Sequence, residues 1–134
     1  MTVQAKLEWT QGMQFVARAE DGPAVVMDNP EGGSGASPME LVLMGTAGCT
    51  AMDVISILRK KRMNVSRFTV NVSGTRADDH PRRYTDIRIE FVVGGTDINP
   101  DGVQRAIDLS ADKYCGAIAS LNACVTHTFR VEAP

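Results

Sequence analysis

The strongest constraint on this chain is a capped, apolar segment near its middle. Ser37-Pro38-Met39-Glu40 reads as a helix start. Ser37 caps the free backbone N–H groups, Pro38 fits the first helical position, and Glu40 completes a capping box. Leu41, Met44, Gly48, Ala51 or Met52, Ile55 and Leu58 then recur at helical spacing. Val42, Leu43, Ala47, Val54 and Ile57 spread apolar character around the rest of the surface, so most of this helix is expected to be buried. The spacing predicts a helix from Pro38 to about Arg62, roughly 37 Å at the usual rise per residue. Arg59-Lys60-Lys61-Arg62 closes it with cations that complement the helix dipole and face water.

Strand patterns flank that helix on both sides. Val3, Ala5, Leu7 and Trp9 alternate with Thr2, Gln4, Lys6 and Glu8, as in a half-buried strand. After Gln11-Gly12, Met13, Phe15 and Ala17 resume the alternation; Asp21-Gly22-Pro23 makes a turn, and Ala24 to Met27 a third short strand. Beyond the helix, Phe68, Val70 and Val72 alternate with polar neighbours, as do Ile87, Ile89, Phe91 and Val93, which predicts a hairpin. Asn99-Pro100 starts a second helix with Val103, Ala106, Ile107 and Leu109 inward, Ala117 to Ala123 suggests a short third, and Val125 to Val131 a last strand. The order βββαββααβ predicts an α+β fold with an antiparallel sheet packed on a long central helix. No linker or repeat interrupts the 134 residues, which suit one domain over 1–134.

Composition bounds the function. With 43% hydrophobic and 22% charged residues, disordered and fibrous classes are excluded, and a chain this long buries a core without disulfides or a metal. A net charge of −2 gives no electrostatic reason to bind nucleic acid or an anionic membrane. No unbroken apolar run approaches the roughly 18 residues of a membrane span, and MTVQAKLEWTQG lacks the pattern of a signal peptide. A cytoplasmic protein is expected. Asp28 to Ala36 is rich in glycine but lacks the Gly-Lys-Ser/Thr of a phosphate-binding loop, so it reads as a surface loop that could serve as a flap.

The chemistry rests on the cysteines. Cys49, Cys115 and Cys124 form no close pair, and His80 and His127 lie near no cysteine, so neither a metal site nor a disulfide scaffold is expected. Cys49 sits within a helix between small residues, in Gly45-Thr46-Ala47-Gly48-Cys49-Thr50-Ala51. Two interior glycines cost about 1 kcal/mol each against alanine, so close approach of another backbone or side chain is expected there, and Cys49 reads equally as a reactive thiol or as a buried cysteine in a tight helix contact. Cys49 is too far from the helix N-terminus for the dipole to depress its pKa, which leaves Arg18 or the Arg82-Arg83 pair as cationic candidates. Glu40 lies about 13–14 Å away along the axis and reaches the thiol only through an intervening group. Cys124 and His127 read as packed residues, the histidine hydrogen-bonded.

Ser37-Pro38-Met39-Glu40-Leu41, Ala47-Gly48-Cys49-Thr50-Ala51-Met52-Asp53-Val54 and Ala111-Asp112-Lys113-Tyr114-Cys115 together resemble the OsmC/Ohr family (osmotically inducible, organic hydroperoxide resistance proteins). The resemblance implies an intertwined homodimer with active sites at the subunit interface. It also implies thiol-dependent reduction of organic hydroperoxides, with Cys49 as the peroxidatic residue and Cys115 resolving its sulfenic acid to a disulfide. A dithiol, such as a lipoylated protein, would reduce that bond, without metal or other cofactor. The resemblance points to Arg18 and Glu40 as supports of thiolate and substrate. Met39 stands where the best-studied peroxidases of the family carry glutamate, and Glu40 follows one residue later. That shift motivates an alternative: a non-catalytic small-molecule-binding or redox-sensing dimer on the same scaffold.

Overall fold

A computed structural model describes residues 1–134. The chain forms two compact units, Met1–Val42 and Leu43–Pro134. In the first, β1 (Ala5–Gln11), β2 (Gln14–Ala19) and β3 (Ala24–Met27) make an antiparallel meander in the expected order. Gly12 takes a positive φ of 55° at the first turn, and the Trp9 indole Nε1 donates to its carbonyl at 2.8 Å. The expected alternation is present but its apolar face is bare: all of β1 is exposed, with Leu7 and Trp9 open to solvent.

The glycine-rich segment is built around Asp28, which is 6% exposed. Its carboxylate accepts from the Ser34 hydroxyl and from the Asn29 and Ser34 backbone N–H groups, and the Ser34 hydroxyl leads in holding its pKa below the usual carboxylate value. A Cβ at Gly32 would run into that carboxylate, which accounts for glycine there.

The helix α1 (Pro38–Lys60) opens as the sequence predicts. Glu40 N–H donates to the Ser37 hydroxyl at 3.2 Å, and Ser37 N–H donates to the Glu40 carboxylate at 2.9 Å. Arg62, at φ 59°, ends the turn after it. Burial of α1 departs from expectation. Only Thr46, Ala47, Thr50, Val54 and Leu58 are buried, a single stripe, while Val42, Met44 and Met52 are exposed. Judged by mean hydropathy (1.8 over 18 residues) instead of unbroken runs, α1 is long and apolar enough to cross a membrane.

In the second unit, β4 (Asn64–Arg76) and β5 (Tyr84–Thr96) form the predicted hairpin. Ile87, Ile89, Phe91 and Val93 of β5 are at most 1% exposed and form the core with Val103, Ala106 and Ile107 of α2 (Pro100–Leu109). Asn99 caps α2 by accepting from Asp101 N–H at 3.0 Å, and Leu109, expected inward, is exposed. The sheet is not wholly antiparallel. After α2, a π-helical turn (Ser110–Tyr114) and α3 (Gly116–Ala119) carry the chain back, so β6 (Cys124–Glu132) pairs parallel to β5. A helical crossover of this length permits what a tight hairpin cannot.

His127 of β6 stacks on Phe91 with ring centroids 6.2 Å apart, but its buried Nε2 has no hydrogen-bond partner, contrary to expectation. Burial holds its pKa below the usual 6.5, against the weaker pull of Asp108 and Asp112. The unfolded chain therefore takes up this proton before the folded one does. Stability is full above about pH 6.5 and falls as acid approaches the folded-state value. His127→Phe should remove this part of the acid sensitivity and add about 1 kcal/mol at neutral pH by deleting an unsatisfied polar atom. Urea unfolding at pH 7.5 and 5.5 checks both, and an equal acid loss in the variant would place the sensitivity elsewhere.

Candidate active site

Cys49 and Cys115, remote in sequence, come together in the second unit, near enough for the Cys115 thiol to act on that of Cys49. Both are free; Cys49 is partly exposed and Cys115 is 3% exposed. Helix α1 supplies Cys49 on its fourth turn. Cys115 arrives at the end of the π-turn, where its N–H closes a five-residue ring to the Ser110 carbonyl at 2.8 Å. Such wide turns reposition one side chain relative to a regular helix and recur at functional sites. Cys115 then caps α3, its sulfur accepting from the Ile118 N–H at 3.5 Å.

Three polar residues that the sequence reading did not single out complete the arrangement. Thr50, fully buried, donates from its hydroxyl to the Cys115 sulfur at 3.2 Å. Ser110, also fully buried, donates to the Asp53 carboxylate at 2.9 Å. The available signal was spacing: Thr50 and Asp53 follow Cys49 by one and four positions on α1, and Ser110 stands five residues before Cys115.

The Ala117 backbone N–H donates to Cys49 and pulls its pKa down. Burial, the bond to Cys115, the charge of Cys115 and the Asp53 carboxylate outweigh it, so the thiol lies above its usual value of 9.0. The groups that act on the thiol are a backbone N–H, a second thiol and a carboxylate. Arg83, one of the cationic candidates, donates to the Tyr84 and Asn122 carbonyls instead, tying the start of β5 to the approach to β6, while the Arg82 carbonyl accepts from Arg76.

Residues 31–130 match the family described as OsmC-like protein. The chain belongs to this OsmC-like family. YhfA of Escherichia coli strain K12 is 40% identical over 133 residues, covering 98% of this chain and 99% of that protein. A hypothetical protein from Aquifex aeolicus VF5 has a solved structure similar at a TM-score of 0.89 and 26% identity, over 100% of this chain and 98% of that one. The organic hydroperoxide resistance protein OhrB of Bacillus subtilis shares the fold at a TM-score of 0.63 and 16% identity, over 97% and 98% of the two chains. The α+β OsmC-like architecture expected from the sequence is the one observed.

Within this OsmC-like chain the other expected site residues have structural employment. Glu40 is bound in the capping box, and its Ser37 partner holds its pKa below the usual value. It lies nine residues before Cys49 on α1, about 13–14 Å and half a turn around the helix. Arg18, in the first unit, donates to the Gly22 carbonyl across the β2–β3 turn at 3.2 Å. Cys124, expected to be packed, is exposed at the start of β6. The glycines beside Cys49 also differ from expectation: a Cβ at Gly45 or Gly48 would meet nothing within 4 Å in this chain.

Proposed function

We propose that this chain, one OsmC-like domain throughout, is a thiol-dependent peroxidase for organic hydroperoxides, working through Cys49 and Cys115. The observation that carries the reading is the proximity of two free thiols from distant parts of the chain, one accessible and one buried. The Cys49 thiolate attacks the peroxide oxygen; the O–O bond breaks, the departing alkoxide takes up the proton that Cys49 released on ionising and leaves as the alcohol, and Cys49 becomes a sulfenic acid. The Cys115 thiolate attacks the Cys49 sulfur and expels hydroxide, giving the disulfide and water. A dithiol, for which a lipoylated protein is the proposed source, returns both cysteines to thiols as it is itself oxidised. Neither metal nor organic cofactor enters this scheme. Family membership supports a role in peroxide resistance. Free, paired thiols suit the reducing cytoplasm proposed as the location.

In this reading the working unit is a homodimer. An exposed apolar face on α1, a bare β1 and open space beside Gly45 and Gly48 support it, because a second copy would cover surfaces that water otherwise meets. Sedimentation at micromolar concentration is expected to give twice the 14.4 kDa of one chain; a monomer would remove the dimer.

The reading is tested by adding one equivalent of an alkyl hydroperoxide to reduced protein and mapping its peptides by mass spectrometry. A Cys49–Cys115 disulfide is expected as the main product; overoxidised Cys49 with Cys115 still a thiol would remove Cys115 from the mechanism. A second reading, a redox sensor or small-molecule-binding dimer, is favoured by the raised pKa of Cys49, which slows attack on peroxide. It predicts disulfide formation or ligand-induced stabilisation without turnover.

A further inference from the structure

We infer that Thr50 is a positioning residue for Cys115: its hydroxyl aims the sulfur at Cys49 and stabilises the charge that sulfur carries when the Cys49–Cys115 bond opens. The inference rests on the proposed pairing of the two thiols and adds to it the group that sets their redox balance. Thr50 is 0% exposed and Cys115 3% exposed, so water cannot replace their hydrogen bond. A buried hydroxyl must find a partner, and here the partner is sulfur.

Two successive turns of α1 hold both ends of the π-turn. Thr50 grips Cys115 at its end, and Asp53 accepts from Ser110 at its start. Cys115 therefore cannot swing away from Cys49 without breaking a buried bond.

A hydroxyl bonds a neutral thiol weakly and a thiolate strongly. The Thr50 bond thus strengthens as negative charge gathers on Cys115. That happens when the thiolate of a reducing dithiol attacks the Cys49 sulfur: a mixed disulfide forms, the Cys49–Cys115 bond breaks, and its electron pair leaves on Cys115. The Ile118 N–H supports the same charge. Attack on the more accessible Cys49 sulfur and departure of the buried, hydrogen-bonded one give the exchange a direction.

Thr50→Val keeps the shape and removes the donor; Thr50→Ser keeps the donor. The reduction potential of the pair, measured in the full-length protein against glutathione buffers at alkaline pH, where thiolate is populated, should shift about tenfold toward the disulfide in Thr50→Val. That is about 30 mV more negative. Conversion of Cys49 sulfenic acid to disulfide should also slow about tenfold, followed by acid quench and mass spectrometry. Thr50→Ser should restore both to within about twofold. If valine prevents folding, Thr50→Ala is expected to give the same shift. An unchanged potential in the valine or alanine variant, or serine behaving like valine, overturns the inference. The potential is measured without peroxide, so the outcomes separate. A shifted potential in a protein that consumes no hydroperoxide would sink the peroxidase alone; an unshifted potential in an active one would sink the role of Thr50.

Discussion

Cys49→Ser is expected to lower dithiol-dependent hydroperoxide consumption by at least about 100-fold, to the background of the reductant alone. A serine hydroxyl is far less acidic and less polarisable than a thiol, and alkoxide does not cleave the O–O bond at useful rates. Cys115→Ser should behave differently. It retains the first attack, so about one equivalent of peroxide per chain disappears quickly, after which turnover stalls at a sulfenic acid that a dimedone-type trap captures. A colorimetric assay of remaining hydroperoxide separates the two variants. Equal steady rates in wild type and Cys49→Ser would discard the enzymatic reading. The pH profile offers a further check. Because burial, Cys115 and Asp53 raise the Cys49 pKa despite the Ala117 N–H, the thiolate fraction at neutral pH is small. The rate of the first attack should therefore climb between about pH 7 and 9 instead of levelling off below neutrality.

Phe91→Ala is expected to cost about 3–5 kcal/mol of folding stability. Phe91 is fully buried on β5, the central strand of its sheet, with the Phe68 and His127 rings at 6.0 and 6.2 Å. Truncation removes apolar burial and leaves a cavity whose walls belong to three paired strands and cannot close freely. Urea titration should show a lower midpoint with an unchanged slope. A loss below about 1 kcal/mol would mean that β5 is not the centre of the core.

Much of the fold was legible because its determinants are local. The Ser37–Glu40 capping box forms between neighbours in sequence, and Asn99-Pro100 starts α2 in the same way. Ile87, Ile89, Phe91 and Val93 announced a buried strand through period-two alternation alone. The parallel placement of β6 was not legible, because alternation marks a strand without giving its direction. Leu109 and Cys124 were misjudged for a related reason: an apolar residue near an element's end follows whichever way the chain turns next.

The burial of α1 shows the same division more sharply. Its sequence is apolar nearly all round, which means only that water is a poor neighbour for it. What covers each face depends on surfaces folded elsewhere, and within this chain only the stripe from Thr46 to Leu58 is covered.

For the site, the sequence by itself determined that Cys49 lies on a helix, that Cys115 follows a helix end, and that the motifs around them belong together. The tertiary structure alone decided that the two thiols are neighbours, that Thr50 and Asp53 brace the turn carrying Cys115, and that Glu40 is occupied as a cap. Caps, turns and amphipathic periods are written by residues a few positions apart, whereas a hydrogen bond between α1 and a π-turn some sixty residues later exists only once burial has removed water as the competing partner.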